Sequence, residues 1–159
     1  MANIPDAAPS DAVIRAWTRL VRAQHRVLGA VEADLRRAGF PPLAWYDALL
    51  ELRRAPEGLR PFQLEARMLL AQYNLSRLVD RLEAAGHLAR APSPEDGRGQ
   101  VLTMTASGRA LLAAMWPAYA AAIARHVGGR LTEAEAATLA ALLDRLLAPA
   151  AEGRYSGLR

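Results

Sequence analysis

Residues 72–85 place the tightest constraint on the fold of this chain. Their apolar positions recur at spacings of three and four, which predicts a helix with one apolar stripe. The stripe consists of Leu75, Leu78, Val79 and Leu82. Gly86 follows and is a natural C-terminal stop for such a helix. The opposite side carries side chains that can hydrogen-bond base edges or phosphates, namely Gln72, Asn74, Ser76, Arg77 and Arg81.

A short hairpin is predicted directly after this helix. Residues 88–91 can form one strand, and residues 100–104 can form a second, because side chains alternate along it. The tip between them is rich in proline, glycine and charge, and Thr105 can cap a new helix. The order of helix, hairpin with a charged tip and helix is typical of a winged helix-turn-helix. We therefore predict a mainly α fold with a small β-hairpin wing.

These elements resemble the MarR family of bacterial transcription regulators. The matching residues are LSRLVDRLE at 75–83, Gly86, Asp96-Gly97-Arg98 in the wing tip, Met104-Thr105 and Gly108. The resemblance implies a homodimer that binds double-stranded DNA in a sequence-specific way at a roughly palindromic operator. It also implies a single domain over residues 1–159. In that domain a winged helix-turn-helix lobe at 42–104 lies between dimerisation helices at 12–38 and 105–148.

The segments outside the central motif predict further helices. Ser10 can cap a long helix over residues 12–38, whose apolar stripe is wide enough to be buried in its own domain and against another chain. In a second helix over residues 43–54, Trp45 or Tyr46 faces inward. A short helix opens at Pro61 and is expected to pack through Phe62, Leu64 and Met68. Thr132 and Glu135 form a capping box before a last helix that ends at Pro149.

The polar side of the central helix suggests how DNA would be read. Gln72 and Asn74 could pair with adenine, Ser76 could reach a base or a phosphate, and Arg77 and Arg81 are expected on phosphates, with Arg77 also able to reach guanine. Tyr73 is either a phosphate contact or a packing residue. The family resemblance implies that Arg98 enters the minor groove and that Asp96 holds it, and Arg90 is a further expected phosphate contact. A local alternative pairs Asp80 and Arg81 with Glu83 or Arg77 along the helix.

The start of the central helix departs from the usual family pattern. Members often place serine or threonine before this helix and glycine in the turn, whereas this chain has Leu70-Ala71 and no glycine there. Alanine cannot cap a helix, a loss of about 1 kcal/mol. The start of the helix and the role of Gln72 therefore stay open.

Composition narrows the class of protein. With 159 residues, 52% of them hydrophobic, the chain is long enough for one ordinary domain. No apolar run approaches the roughly 20 residues that span a bilayer, and the N-terminus does not have the pattern of a signal peptide. The absence of cysteine excludes disulfides and thiol switches. We therefore expect a cytoplasmic protein. The net charge of +4 is modest for a DNA-binding protein.

Catalysis finds little support in the sequence. His25, His87 and His126 are scattered without metal-ligand spacing, and no phosphate-binding loop is present. We therefore expect neither an enzyme nor a cofactor. The resemblance instead implies a small aromatic or anionic effector, for which the candidate residues are Trp17, His25, Trp45 and Tyr46. Two rival hypotheses are a winged-helix module that binds another protein without specific DNA binding, and a ligand-binding or enzymatic protein on a helical scaffold.

Overall fold

The computed structural model describes residues 8–70, 74–95 and 97–149. The elements in these ranges, in chain order, are α1 (Asp11–Arg37), α2 (Leu43–Arg54), α3 (Pro61–Arg67), α4 (Leu75–Ala84), β1 (Leu88–Pro92), β2 (Gln100–Met104), α5 (Ala106–Ile123), a π-helical turn (Ala124–Gly128) and α6 (Glu133–Leu147). This order confirms the predicted fold class, which is mainly α with a β-hairpin wing. In the part of the chain that the structure describes, no helix is both long enough and apolar enough to cross a membrane.

The long first helix is covered by its own chain at one end only. The Ser10 hydroxyl accepts a hydrogen bond from the Val13 backbone N–H at 3.4 Å, which confirms the predicted cap. Val31 and Leu35 are buried near the C-terminal end of α1, which packs against α5. Residues 11–26 are all exposed. Among the described residues, the first half of α1 therefore gains no core packing within one chain.

Helix α2 lies at the centre of the core. Pro42 has no side-chain cap to offer, and the Glu32 carboxylate of α1 accepts the Leu43 backbone N–H at 3.2 and 3.3 Å instead. A carboxylate is favourable there because helix N-termini carry unpaired N–H groups and a partial positive charge. Tyr46 is buried and Trp45 is half-buried. The largest fully buried side chains of the core are Leu35, Leu49, Leu52, Leu64, Leu82, Leu102, Leu112 and Met115.

Helix α3 packs through Leu64 rather than through Phe62. Leu64 is fully buried, Met68 is half-buried, and the side chain of Phe62 is 65% exposed. The expectation that Phe62 packs inside was wrong. Residues two positions apart differ by about 200° around a helix, so Phe62 and Leu64 cannot face the same core.

The wing is an antiparallel hairpin with a third contact at its base. Its register pairs Leu88 with Met104 and Pro92 with Gln100. Leu59 exchanges two backbone hydrogen bonds with Leu102, at 2.8 and 3.0 Å, and so attaches the segment before α3 to β2. Gly58 has a φ of +92°, and a Cβ atom there would lie 2.3 Å from Val101 Cγ1. Only glycine fits where the chain crosses β2 this closely.

Helix α5 begins at a point where the wing and the helices join. The Thr105 hydroxyl accepts the Gly108 backbone N–H at 3.0 Å and donates to the Gly86 carbonyl at 2.6 Å, so the predicted cap also holds the end of α4. Gly108 is buried, and a Cβ atom on it would lie 2.2 Å from the His87 carbonyl oxygen. The first turn of α5 therefore touches the backbone at the base of β1.

The C-terminal end of α5 is attached to α1 by an ionic cluster. Asp34 of α1 accepts from Arg125 Nη1 and from His126 Nε2, both at 2.9 Å, and also pairs with Arg37. The hydrogen bond from His126 holds the pKa of Asp34 below its usual value, and the charges of Arg125 and Arg37 add to this effect. Beyond this turn, Thr132 and Glu135 form the predicted capping box of α6.

Candidate nucleic-acid interface

The recognition helix of the helix-turn-helix, α4, begins later than the sequence pattern indicated. It starts at Leu75, and the Asn74 side-chain oxygen caps it by accepting the Arg77 backbone N–H at 3.0 Å. Asn74 supplies the cap that Ala71 could not, because asparagine is among the preferred N-cap residues. The start of the helix, which stayed open from the sequence, lies at Leu75, and the Asn74 oxygen is committed to the helix rather than to a base. Gln72 and Tyr73 lie outside the described residues.

Helix α4 presents a polar side to the exterior. Leu78, Val79 and Leu82 are buried in the core and Leu75 is half-buried, as the periodicity predicted. Ser76, Arg77 and Arg81 are all exposed. Burial of the apolar stripe therefore fixes the side of the helix on which the hydroxyl and the two guanidinium groups stand.

Arg90 of β1 is engaged within the protein. Its guanidinium pairs with Asp80 of α4, and its Nε lies 3.3 Å from Glu83 Oε2. Nε has no hydrogen bond of good geometry, so the contact with Glu83 is an ion pair rather than an aligned bond. These two carboxylates compete with phosphate for Arg90, and its phosphate contact stays a prediction from the sequence. The alternative in which Asp80 pairs along its own helix is replaced by this contact between α4 and the wing.

We expect the Asp80–Arg90 pair to contribute modestly to stability. Asp80 is 63% exposed at its side chain, and such pairs are worth roughly 0.2–1 kcal/mol. A double-mutant cycle with Asp80→Asn and Arg90→Gln, followed by urea unfolding, should return a coupling energy of about that size. A coupling near zero would show that the pair does not hold α4 to the wing. Glu83→Gln is the matched control, because it removes the more distant partner.

The wing tip is held in shape by its own backbone and by Arg60. Ser93 is buried, and its backbone N–H donates to the Gly99 carbonyl at 2.8 Å. Arg60 Nη2 donates to Ser93 Oγ at 3.0 Å and lies 3.6 Å from Glu95 Oε2. Arg98 stands exposed on this tip, and Asp96 lies outside the described residues. Arg60 could not be singled out from the sequence, because the wing residue that its guanidinium contacts, Ser93, lies 33 residues away along the chain.

A second unpredicted residue, Asp47 of α2, contacts the turn of the helix-turn-helix. Its side chain is buried, and its two carboxylate oxygens accept the backbone N–H groups of Leu69 at 3.0 Å and of Leu70 at 2.8 Å. An acidic residue inside the apolar run LAWYDALLEL was the signal that could have pointed to it, since a buried carboxylate requires partners.

An apolar cavity of about 320 Å³ lies between α1, α5 and the same turn. Its lining includes Leu28 and Val31 of α1, Leu70 of the turn, and Tyr119 of α5. None of the described residues that line it is charged. Burial raises the pKa of the Tyr119 hydroxyl, and the nearby Asp47 carboxylate raises it further. The cavity is thus a low-polarity site that adjoins the helix-turn-helix.

The four predicted effector residues do not line this cavity. Trp17 is 65% exposed on the uncovered half of α1, and His25 is exposed as well. Trp45 meets the ring of His87 edge to face at 5.9 Å, while Tyr46 packs on Trp116 and Tyr119. The four residues are therefore not brought together at this cavity, and their role in effector binding stays a prediction from the sequence. Among the described residues, no group of three or more histidine and acidic side chains could hold a metal ion.

Large apolar side chains stand exposed on the outer helices. On the first half of α1 they are Val13, Ile14, Trp17, Leu20 and Val21, and on α6 they are Leu139, Leu142, Leu146 and Leu147. Helix α6 has no buried residue. Apolar surface on this scale is typical of a protein-protein interface.

The exposed polar side of α4, the attached hairpin and the helix-turn-helix define a winged helix-turn-helix protein of the DNA-binding type. Residues 38–99 match the model of the MarR family. Over these residues the chain is similar to the MarR family. A curated relative, the uncharacterised HTH-type transcriptional regulator YkoM of Bacillus subtilis, is 35% identical over 98 residues, which cover 60% of this chain and 61% of YkoM. The match therefore spans about three fifths of the length of that relative.

Solved structures agree on the fold over nearly the whole chain. A MarR family transcriptional regulator from Streptomyces coelicolor, crystallised in complex with DNA, has a TM-score of 0.80 at 24% identity and covers 91% of both chains. BpsR of Bordetella bronchiseptica, whose DNA binding is regulated by 6-hydroxynicotinic acid, has a TM-score of 0.76 at 23% identity, covering 90% of this chain and all of BpsR. At these identities the likeness establishes the fold.

Proposed function

We propose that the protein is a sequence-specific regulator of transcription that binds double-stranded DNA as a homodimer. The observation that carries the proposal is the exposed row of Ser76, Arg77 and Arg81 on α4, a helix held in place by its buried stripe and attached to the wing. A helix fits the major groove, where each base pair shows a distinct pattern of donors and acceptors. The match to the MarR family model supports a regulator and speaks against an enzyme.

Each polar group has a proposed role. Arg77 and Arg81 lie one turn apart and contact phosphates, and Arg77 also reaches guanine. Ser76 meets a base or a phosphate, and the amide nitrogen of Asn74 remains available to an acceptor because only its oxygen serves the cap. Arg98 of the wing enters the minor groove, where negative potential is strong. Asp96, Gln72 and Tyr73 remain proposals from the sequence.

The homodimer is supported by the exposed apolar surfaces of α1 and α6. Two copies related by a twofold axis would bury these surfaces and present two α4 helices to successive major grooves, so the operator should be roughly palindromic. Light scattering on the purified chain should therefore give about twice its mass of 17.2 kDa. A monomeric mass would contradict the dimer. Access to chromosomal DNA is consistent with the cytoplasm as its location.

The experiment that tests DNA binding is selection from a pool of random duplexes at physiological salt. We expect one enriched motif with inverted symmetry, and affinity for it should fall steeply as salt rises, because phosphate contacts release counterions. The absence of any enriched motif would favour the alternative, a winged-helix module that binds another protein. The modest net charge of +4 is the observation that favours this alternative.

We further propose that the regulator is a repressor released by a small ligand that occupies the apolar cavity. Leu69 and Leu70 belong both to the cavity wall and to the turn that leads into α4, so an occupant would shift the recognition helix. Because the lining of the cavity carries no charge, a neutral aromatic compound suits it better than the anionic effector expected from the sequence. Titration of the DNA complex with indole and with 6-hydroxynicotinic acid tests this, and release by the acid alone would contradict the neutral class.

A further inference from the structure

The Asp47 carboxylate is an unusual feature in the core of the DNA-binding lobe. Its side chain is only 5% exposed, and it comes from α2, a helix that has no part in the recognition surface itself. A buried carboxylate is costly unless hydrogen-bond donors satisfy it. Here two backbone N–H groups do so, one on each oxygen, at 3.0 and 2.8 Å. Hydrogen bonds to a charged acceptor are stronger than those between neutral groups.

The two donors, Leu69 and Leu70, belong to the segment that connects the end of α3 to the start of α4. Helix α3 ends at Arg67 with its C-cap at Met68, so Leu69 and Leu70 follow directly as the turn of the helix-turn-helix. The Met68 N–H is the last of this region to bond within α3, to the Leu64 carbonyl at 3.1 Å. The turn itself contains no glycine and no serine or threonine that could satisfy its own backbone. The Asp47 carboxylate of α2 supplies the hydrogen-bond acceptors that the turn itself does not have.

We propose that Asp47 is a positioning residue for DNA recognition, whose carboxylate fixes the turn that leads into α4. The inference rests on the proposed function, since a positioned recognition helix matters only if the helix meets DNA. Asp47 touches no surface of the operator and acts through Leu69 and Leu70. Removal of the Asp47 carboxylate should therefore loosen the turn, while the core around Leu49 and Leu52 remains packed.

The test replaces Asp47 by asparagine, which keeps the volume but can accept only one of the two bonds with its single oxygen. Glu51→Gln is the matched control. Glu51 is also a buried carboxylate on α2, but its partner is Arg54 of the same helix, at 2.6 Å, rather than the turn. Amide hydrogen exchange is followed residue by residue, and operator affinity is measured at a temperature where circular dichroism shows all proteins folded.

For Asp47→Asn we expect exchange at Leu69 and Leu70 to speed up by about tenfold or more, with a similar loss of operator affinity. Glu51→Gln should change neither quantity. A second variant, Asp47→Ser, withdraws both acceptors because its hydroxyl lies one bond nearer the backbone, and it should speed exchange at Leu69 and Leu70 at least as much as Asp47→Asn. Protected amides in both Asp47 variants, or faster exchange with unchanged affinity, would overturn the proposal.

Two further outcomes are informative. If both Asp47 variants fail to fold while Glu51→Gln folds, the carboxylate serves the whole domain, and the positioning role is wrong. If the unaltered protein binds no duplex, the proposed function fails first. Amide exchange, which needs no DNA, then still decides whether Asp47 holds the turn.

Discussion

Replacement of Arg77 by alanine should weaken binding to the selected operator by about 10- to 100-fold, the range expected for loss of a guanidinium that meets a base or a phosphate. Arg77 is exposed on α4, and its side chain plays no part in the buried stripe. The melting temperature and the dimer mass should stay unchanged, because only the backbone N–H of Arg77 serves the helix cap. Mobility shift at fixed salt measures the loss.

Arg98→Ala should produce a loss of similar size by a different route. Arg98 stands on the wing tip, and its proposed site is the minor groove, where arginine is favoured by the negative potential of narrow A·T-rich segments. Its removal should therefore relax preference at the flanking base pairs, whereas Arg77→Ala should relax preference at the centre of each half-site. Repeating the duplex selection with each variant separates the two effects.

Arg53→Ala is the matched control for both arginine variants. Arg53 is exposed in the last turn of α2 and belongs neither to α4 nor to the strands of the wing, and its removal changes the net charge equally. It should lower affinity only slightly, through the general field of the protein. If Arg53→Ala weakened binding as much as Arg77→Ala or Arg98→Ala, the assigned interface would be wrong and the binding merely electrostatic.

The largest expected effect on stability is that of Gly108→Ala. A Cβ atom at this position would lie 2.2 Å from the His87 carbonyl oxygen and 3.0 Å from Met104 Cγ, and the nearer of these atoms belongs to the backbone. The first turn of α5 would have to move away from the base of the wing. Overpacking of this kind costs about 1–3 kcal/mol or more, and a chemical denaturation curve measures it.

Gly29→Ala is the same kind of substitution as Gly108→Ala, but it should raise stability rather than lower it. Gly29 lies within α1, and a Cβ atom there would meet nothing within 4 Å. Alanine favours a helix over glycine by about 0.8–1 kcal/mol, so this variant should be slightly more stable than the unaltered protein. Equal effects from the two substitutions would show that the contact between Gly108 and His87 does not limit the packing of α5.

The elements that follow from local periodicity were predictable from the sequence. The buried stripe of α4, the two strands of the wing and the caps at Ser10, Thr105 and Thr132 depend on residues within a few positions of each other. The fully buried Leu64 was predicted on the same grounds. The error at Phe62 shows where this reasoning fails, because the sequence indicates that α3 is amphipathic but a helix of 7 residues has too few positions to define its inner side.

Contacts between residues distant in sequence could not be read in this way. Arg90 was predicted as a phosphate contact, and its pairing with Asp80 and Glu83 of α4 was not visible in the sequence. The pairing of Asp47 with a turn more than 20 residues later, and of Arg60 with Ser93, likewise depends on how the helices pack. A charged side chain within an apolar run does indicate that a partner exists, but the sequence does not identify that partner.

Because the first half of α1 and all of α6 lack packing within one chain, their ordering in the proposed dimer depends on the concentration of the protein. Helices of this length without packing are only marginally formed in water, and in the proposed dimer they become ordered through a second copy. When expression is low, the concentration of the dimer then grows with the square of the concentration of the chain. The output of a promoter bound by this dimer would therefore change more than proportionally with the concentration of the regulator. This steepness would not require cooperativity between separate operators.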